Sequence, residues 1–253
     1  MTAAQGCADR LTRLSAQGRR AAAEGDAGID WDTPIEPPVW MPRRGVVTAI
    51  SQLYYGELAT IEMCERLLPQ LGDPAAETFV RTQIADEKRH VVYYERYLRR
   101  AGDIGAIQEG VAMAYDGALA WRGSYHGAIA AFHVVLEGEG LRLQSLYSRW
   151  FPCPLFRRMN ALIAQDEGRH VAFGKIYLRE KLRALPLEER LEILTWLRSL
   201  WFDCADAIRG DMPGTVSRLL GRRWAEEKWR RQYRTLVDIG LVTEDELAIV
   251  NRL

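Results

Sequence analysis

The 253-residue chain carries 34 Lys plus Arg against 34 Asp plus Glu, so no net field calls for nucleic acid or an anionic membrane surface. Apolar residues at 48% and charged residues at 27% are those of an ordinary globular protein, long enough for one large domain or two small ones with a substantial core. Its four cysteines, Cys7, Cys64, Cys153 and Cys204, lack C-x-x-C spacing, which argues against a zinc knuckle or a redox pair.

From residue 1 to about 30 the chain is rich in Ala, Gly and Arg with weak periodicity, and reads as a mobile arm with one short helix over 8–24. Residues 31–44 carry Pro34, Pro37, Pro38 and Pro42, which forbid a helix. They predict an extended strap pinned by Trp31 and Trp40. A first long helix is expected over 46–68, ending near Pro69 and Gly72. Asp73 followed by Pro74 is an N-cap with proline at the first helical position, so a second helix should run over 74–100. The link between them is only a few residues, which makes them antiparallel neighbours. A third helix is expected over 117–150, broken by Pro152 and Pro154, and a fourth over 155–185. Between the second and third lie about 14 residues, which reach on the order of 45 Å when extended. Two hairpins joined by one long crossover is the connectivity of a ferritin-like bundle.

After Pro186, Leu187, Leu191, Leu194, Leu197 and Trp201 mark a fifth, amphipathic helix, and 213–237 reads as a sixth. Thr243 with Glu246 forms a capping box for a short last one. These segments hold no ligand-like acid and histidine cluster, so they are expected to cover the bundle or to form a dimer contact. The domain reading is an arm and strap over 1–45, a bundle over 46–185, and accessory helices over 186–253 packed on it within one all-α domain. No apolar run approaches the roughly 20 residues that span a bilayer, and no signal-peptide core is visible. The expectation is a cytoplasmic protein with no membrane and no nucleic-acid partner.

The motif that organises the chain is Asp86-Glu87-Lys88-Arg89-His90, which recurs 80 residues later as Asp166-Glu167-Gly168-Arg169-His170. On a helix, positions i and i+3 share a face, so Glu87 with His90, and Glu167 with His170, each offer a carboxylate and an imidazole to one metal ion. Thirty residues before each motif glutamate stands another, Glu57 and Glu137, inside an apolar helical stretch. Each half thus supplies Glu and then Glu-x-x-His, the ligand set of a carboxylate-bridged di-metal four-helix bundle. A single Glu-x-x-His is a frequent surface pair. Its duplication, using two of only four histidines, is what singles it out.

Four carboxylates nearly neutralise two divalent ions, and burying them without metal would be prohibitive. The repeated Asp86 and Asp166 are expected to accept the second ring N–H of a ligand histidine, with Arg89 and Arg169 pairing to them. His133 lies one turn before Glu137 and either reaches the metals or is a core histidine. Gly138 and Gly140 suggest a helical bulge or space for a small molecule. Thr60, Ile61 and Cys64 follow Glu57 along its helix and could line the same space. Tyr94, one turn after His90, is a candidate redox-active phenol set against the commoner role of a packed core tyrosine. Glu62 and Glu139 are weaker ligand candidates, because their spacings do not match between the halves.

With these residues in view, the chain resembles the ferritin-like superfamily over about 46–185. The phrases DEKRHVVYY and DEGRHVAFG look like the ribonucleotide reductase small-subunit branch and its related non-haem di-iron oxidases and oxygenases. The resemblance implies two iron ions, or a manganese/iron pair, and dioxygen as co-substrate. The reaction would be oxidation of a small organic substrate by hydroxylation, N-oxygenation, desaturation or C–C cleavage. It also implies a homodimer and an external electron donor. Glu57 departs from the aspartate common in reductase subunits, and the chain is short for them. Tyr94 does match the place of their radical tyrosine, so a radical-generating subunit is the alternative, and an iron-handling protein a further one.

Overall fold

The structure is a computed structural model that describes residues 3–211, 214–243 and 245–246. Among these residues every regular element is helical. No helix is long and apolar enough to cross a membrane. The chain divides into two compact units.

One unit comprises Ala8–Ile107 and Leu136–Phe173. Helix α1 (Ala3–Glu24) takes in the short helix expected over 8–24 and begins five residues earlier. Leu11 and Ser15 on it are buried, and Gly18 sits so close to Thr82 that a Cβ there would lie 2.6 Å from its Cγ2. That stripe of small and apolar residues is what lets a weakly periodic sequence pack. The proline strap follows. Trp31 pins it as expected, with its indole N–H donating to Asp26 at 2.7 Å, its ring 5.7 Å from Tyr93, and the Arg96 guanidinium 4.3 Å above it. Trp40 does not, being 71% exposed.

Helix α2 (Arg43–Leu71) continues one turn further than expected, with Pro69 inside it. Proline lacks the N–H of that last turn, where the loss is one bond, and Gly72 in the left-handed conformation ends the helix instead. Asp73 caps α3 (Pro74–Ala101) by accepting from the N–H groups of Ala75 and Ala76, as its sequence predicts. These two helices pack along each other. The second hairpin joins α6 (Glu137–Trp150) to α7 (Pro154–Lys181). Asn160 locks it by donating to the Gln144 carbonyl and to Ser148 Oγ, both at 2.6 Å. The core between the helices is a cluster that includes Ile50, Tyr94, Tyr97, Leu98, Phe156, Met159 and Ile163.

The other unit gathers Gln108–Val135 and the chain from Gly174 onward with the first residues up to Cys7. Its helix α4 (Glu109–Leu119) occupies much of what was expected to be an extended crossover. The third bundle helix consequently starts later than 117, at α5 (Tyr125–Ile129), where Ser124 accepts from the His126 N–H. The corner between α4 and α5 is set by Trp121, whose ring lies against Gly123 and Gly127 and stacks on Trp196 at 4.2 Å. No larger residue fits at either glycine. A π-helical turn, Ala130–Leu136, then leads into α6. Gly138 and Gly140, where a bulge was expected, lie instead in the regular helix that follows this turn.

Helix α8 (Leu187–Asp211) packs on α4, where Gly110 and Gly117 admit Ile208 and Leu200. Helix α9 (Gly214–Asp238) packs on α8, and the Trp201 indole donates to the Ala225 carbonyl at 3.1 Å. Pro213, the expected start of that helix, and the tail Val250–Leu253 lie outside the described residues. The capping box is present: Thr243 N–H donates to Glu246 at 2.8 Å, and Glu246 N–H to Thr243 Oγ1 at 3.2 Å. Arg190 extends it by pairing with the same glutamate at 2.5 Å.

Candidate metal centre

The helical repeat puts Glu87 and His90 on the inner face of α3 and Glu167 and His170 on that of α7, while α2 and α6 contribute Glu57 and Glu137. All six are buried, the two imidazoles and Glu87 completely. They form two groups whose donor atoms lie within 4.8 Å of one another: Glu57, Glu87, His90 and Glu167 in one, and Glu87, Glu137, Glu167 and His170 in the other. Glu87 and Glu167 belong to both.

The geometry explains why. His90 turns Nδ1 inward, 3.1 Å from Glu87 Oε2 and 3.4 Å from Glu167 Oε1, with Glu57 Oε2 also at 3.4 Å. His170 turns Nδ1 to the opposite oxygens, 3.1 Å from Glu87 Oε1 and 3.4 Å from Glu167 Oε2. Each shared carboxylate thus points one oxygen at each ring, and the ring centroids are 6.2 Å apart.

The outward nitrogens cross between the halves. His90 Nε2 meets Asp166 at 3.0 Å, and His170 Nε2 meets Asp86 at 3.4 Å. An N–H donated there leaves the inward Nδ1 lone pairs free for a metal. Arg89 donates to Asp86 at 2.8 Å and to Asp166 at 2.5 Å. Arg169 closes the ring on the same two aspartates at 2.9 and 2.7 Å. Two cations on two anions make this layer neutral, so the four glutamates carry the local charge.

In the protein alone that charge is met by shifted protonation. Burial, then the neighbouring Glu87 and Glu167, push the Glu57 carboxyl well above the usual range. Burial, then Glu167, does the same to Glu137. For Glu87 the burial penalty is outweighed by the His170 charge and by the close approach of both imidazoles, and its carboxyl is held well below the usual range. Burial alone would lower both histidines, yet the surrounding carboxylates hold them well above theirs. Nδ1 of His170 has no neighbour in hydrogen-bonding geometry, and Oε2 of Glu137 has no donor. Two imidazole nitrogens and four carboxylates, nearly neutral with two divalent ions and with donors left over toward a common space, fit such ions well.

The remaining sequence candidates fall apart from this set. Glu62 pairs with Arg66 and Glu139 with Arg142, and neither joins a ligand group. His133 also belongs to neither; it is buried on the π-helical turn with its Cβ against Gly174, where a larger residue would clash. Tyr94 is fully buried in the apolar cluster, and its hydroxyl accepts from Gln144 at 3.4 Å. Burial, followed by the nearby Glu57, raises that phenol well above its ordinary value. Thr60 and Cys64 are buried on α2, and the Cys64 thiol is pushed up by burial and by the charges of Glu87, Glu137 and Glu167. A Cβ at Gly138 or Gly140 would meet nothing within 4 Å.

Two residues that matter here were not singled out from sequence. Gln83, one turn before Glu87, donates its amide to Glu137 Oε1 at 2.8 Å and to Glu87 Oε1 at 3.0 Å. Its signal was a polar residue on the apolar face of a helix at i−4 from a candidate ligand. Gly18 brings α1 over the aspartate–arginine layer, 3.4 Å from Asp86 Oδ2 and 3.6 Å from Arg169 Nε for a Cβ placed there.

The fold is thus all-helical and ferritin-like, in the form taken by R2-like ligand-binding oxidases. A tyrosine-to-phenylalanine variant of such an oxidase with aerobically reconstituted Mn/Fe cofactor matches with a TM-score of 0.65 at 16% identity, over 89% of this chain and 92% of its own. A valine-to-isoleucine variant with anaerobically reconstituted Mn/Fe cofactor matches with a TM-score of 0.67 at 14% identity, over 92% and 93%. No family model matches the sequence, and no curated protein is detectably similar to it.

Proposed function

We propose that the chain is a non-haem di-metal oxidase or oxygenase that uses dioxygen to oxidise a small organic substrate. The observation that carries this reading is the sharing of Glu87 and Glu167 between two buried ligand groups. The Mn/Fe cofactors of the structurally similar oxidases support a pair of iron ions or a manganese/iron pair here. Glu87 and Glu167 would bridge the two ions, Glu57 with His90 would complete one position, and Glu137 with His170 the other. Two reduced ions held there would supply electrons to dioxygen and so oxidise the substrate.

The residues around them have separate tasks. Asp86 and Asp166 hold a proton on each outward imidazole nitrogen and so fix both rings. Arg89 and Arg169 keep those aspartates ionised. Phe79, stacked on Phe173 at 4.4 Å and edge-on to His170 at 6.3 Å, excludes water from that side. A homodimeric, cytoplasmic monooxygenase supplied by an external electron donor is the fuller form of the proposal.

Anaerobic loading with ferrous iron, followed by rapid mixing with oxygen in the presence and absence of candidate amines, acids and carrier-bound acyl groups, tests it. Two irons per chain and a transient visible absorption whose decay a substrate accelerates are expected. Absence of oxygen-dependent absorption with two irons bound would overturn the oxidase reading.

A radical-generating role is the second reading, favoured by the burial of Tyr94 beside the Glu57 and His90 group. A tyrosyl electron-spin signal after aerobic loading, absent from Tyr94→Phe, would select it.

A further inference from the structure

The two halves repeat their ligands but not their surroundings. Gln83 is fully buried, and its amide nitrogen donates to two oxygens on the His170 side: Oε1 of Glu137, and the same Oε1 of Glu87 that faces His170 Nδ1. Displaced by the 80 residues of the repeat, its counterpart is Ile163, which lies in the apolar cluster with Ile50, Tyr94 and Phe156. Glu57, the counterpart of Glu137, is met by the His90 ring at 3.4 Å and by the Glu87 carboxyl, and among the described residues by no amide. One position therefore has two of its carboxylates pinned by a fixed donor. The other does not.

Resting on the di-metal reading, we propose that Gln83 is a positioning residue that makes the two metal positions unequal, so that the one holding His170 and Glu137 binds a divalent ion first and more tightly. The amide occupies one oxygen of Glu137 and leaves Oε2, which has no donor, for the ion. Glu137 would thereby offer an ion one oxygen from a side chain whose rotamer is already set. A donor also withdraws charge from the carboxylate, but outer-shell partners of this kind typically raise metal affinity about ten- to a hundredfold through orientation. Glu57 must be ordered by the incoming ion itself, and that ordering lowers its affinity.

The test is an anaerobic titration of the metal-free chain with cobalt(II), followed by its visible bands and by calorimetry. The wild-type chain is expected to fill in two steps. His170→Ala should remove the tighter step and His90→Ala the weaker. Gln83→Leu should weaken the tighter step about ten- to a hundredfold and leave the weaker within about twofold. Gln83→Met, a linear side chain without the donor, gives the same reading if the leucine variant does not fold, as judged by circular dichroism. Two ions bound by Gln83→Leu or Gln83→Met with the wild-type profile would overturn the role of Gln83, as would a tight step that survives His170→Ala. A wild-type chain that takes up fewer than two ions would instead overturn the di-metal reading itself.

Discussion

Replacing Asp166 with alanine removes the acceptor of the His90 Nε2–H and an anion shared by Arg89 and Arg169. The aspartate side chain is 7% exposed and the two arginines 15% and 11%, so water can only partly take its place. Losing one partner of a buried ion pair costs about 3 kcal/mol at the low end of the usual range, and a chain of this length then melts roughly 6–12 °C lower. Freed from its outer partner, the His90 ring no longer holds Nδ1 inward. Affinity at the position it serves should fall about ten- to a hundredfold, or roughly 1.4–2.8 kcal/mol. Asp166→Asn retains an acceptor while losing the charge, and should fall between wild type and alanine on both measures. Scanning calorimetry of the metal-free chains, with cobalt(II) titration of those that fold, gives the two numbers. Wild-type melting and wild-type affinity in Asp166→Ala would refute the argument that the crossed aspartate–histidine contacts organise the centre.

Because Glu87 and Glu167 belong to both groups, Glu87→Ala should lose both ions, whereas Glu57→Ala and Glu137→Ala should each retain one; metal analysis after desalting counts them, and equal losses in all three would contradict the shared arrangement. In the metal-free chain, Glu57, Glu137, His90 and His170 have folded values above their unfolded ones, so each stabilises at low pH and loses that contribution as pH rises. Glu87, Asp86 and Asp166 are lowered and act in the opposite sense, but only on acidification through the carboxylate range. The melting temperature of the metal-free chain should therefore decline as pH rises above roughly 6 while the loaded chain holds steady, and a rise there would contradict the protonation pattern. At the α4–α5 corner a Cβ on Gly127 would lie 2.6 Å from the Trp121 indole nitrogen, so Gly127→Val should cost about 1–3 kcal/mol by overpacking, read in urea denaturation.

The extent to which the chain could be read beforehand follows from the range over which each signal acts. A helical spacing of three is local and rigid, so Glu87 with His90, and Glu167 with His170, were legible, and the repeat added Glu57 and Glu137. Helix ends set by proline and by caps were also legible, as at Asp73 and Thr243. Pro69 was misleading because one lost N–H is tolerable in a last turn. Residues 109–116 looked like a connection because Gly110, which weakens a helix by itself, is there to admit Ile208. Trp40 and Trp31 are the same residue type in the same strap, and only packing buries one and exposes the other.

What the amino-acid order determined by itself is the membership of the buried acid–histidine cluster: which six side chains face inward, and that there are two sets of them. The tertiary structure decided the division of labour. Glu87 and Glu167 belong to both groups, each aspartate meets the histidine of the opposite half, and Gln83 donates to Glu137 and Glu87 on the His170 side. Sequence spacing specifies a direction around one helix axis, whereas these assignments depend on distances of 3 to 4 Å between helices that are far apart in the chain, and only their packing sets those.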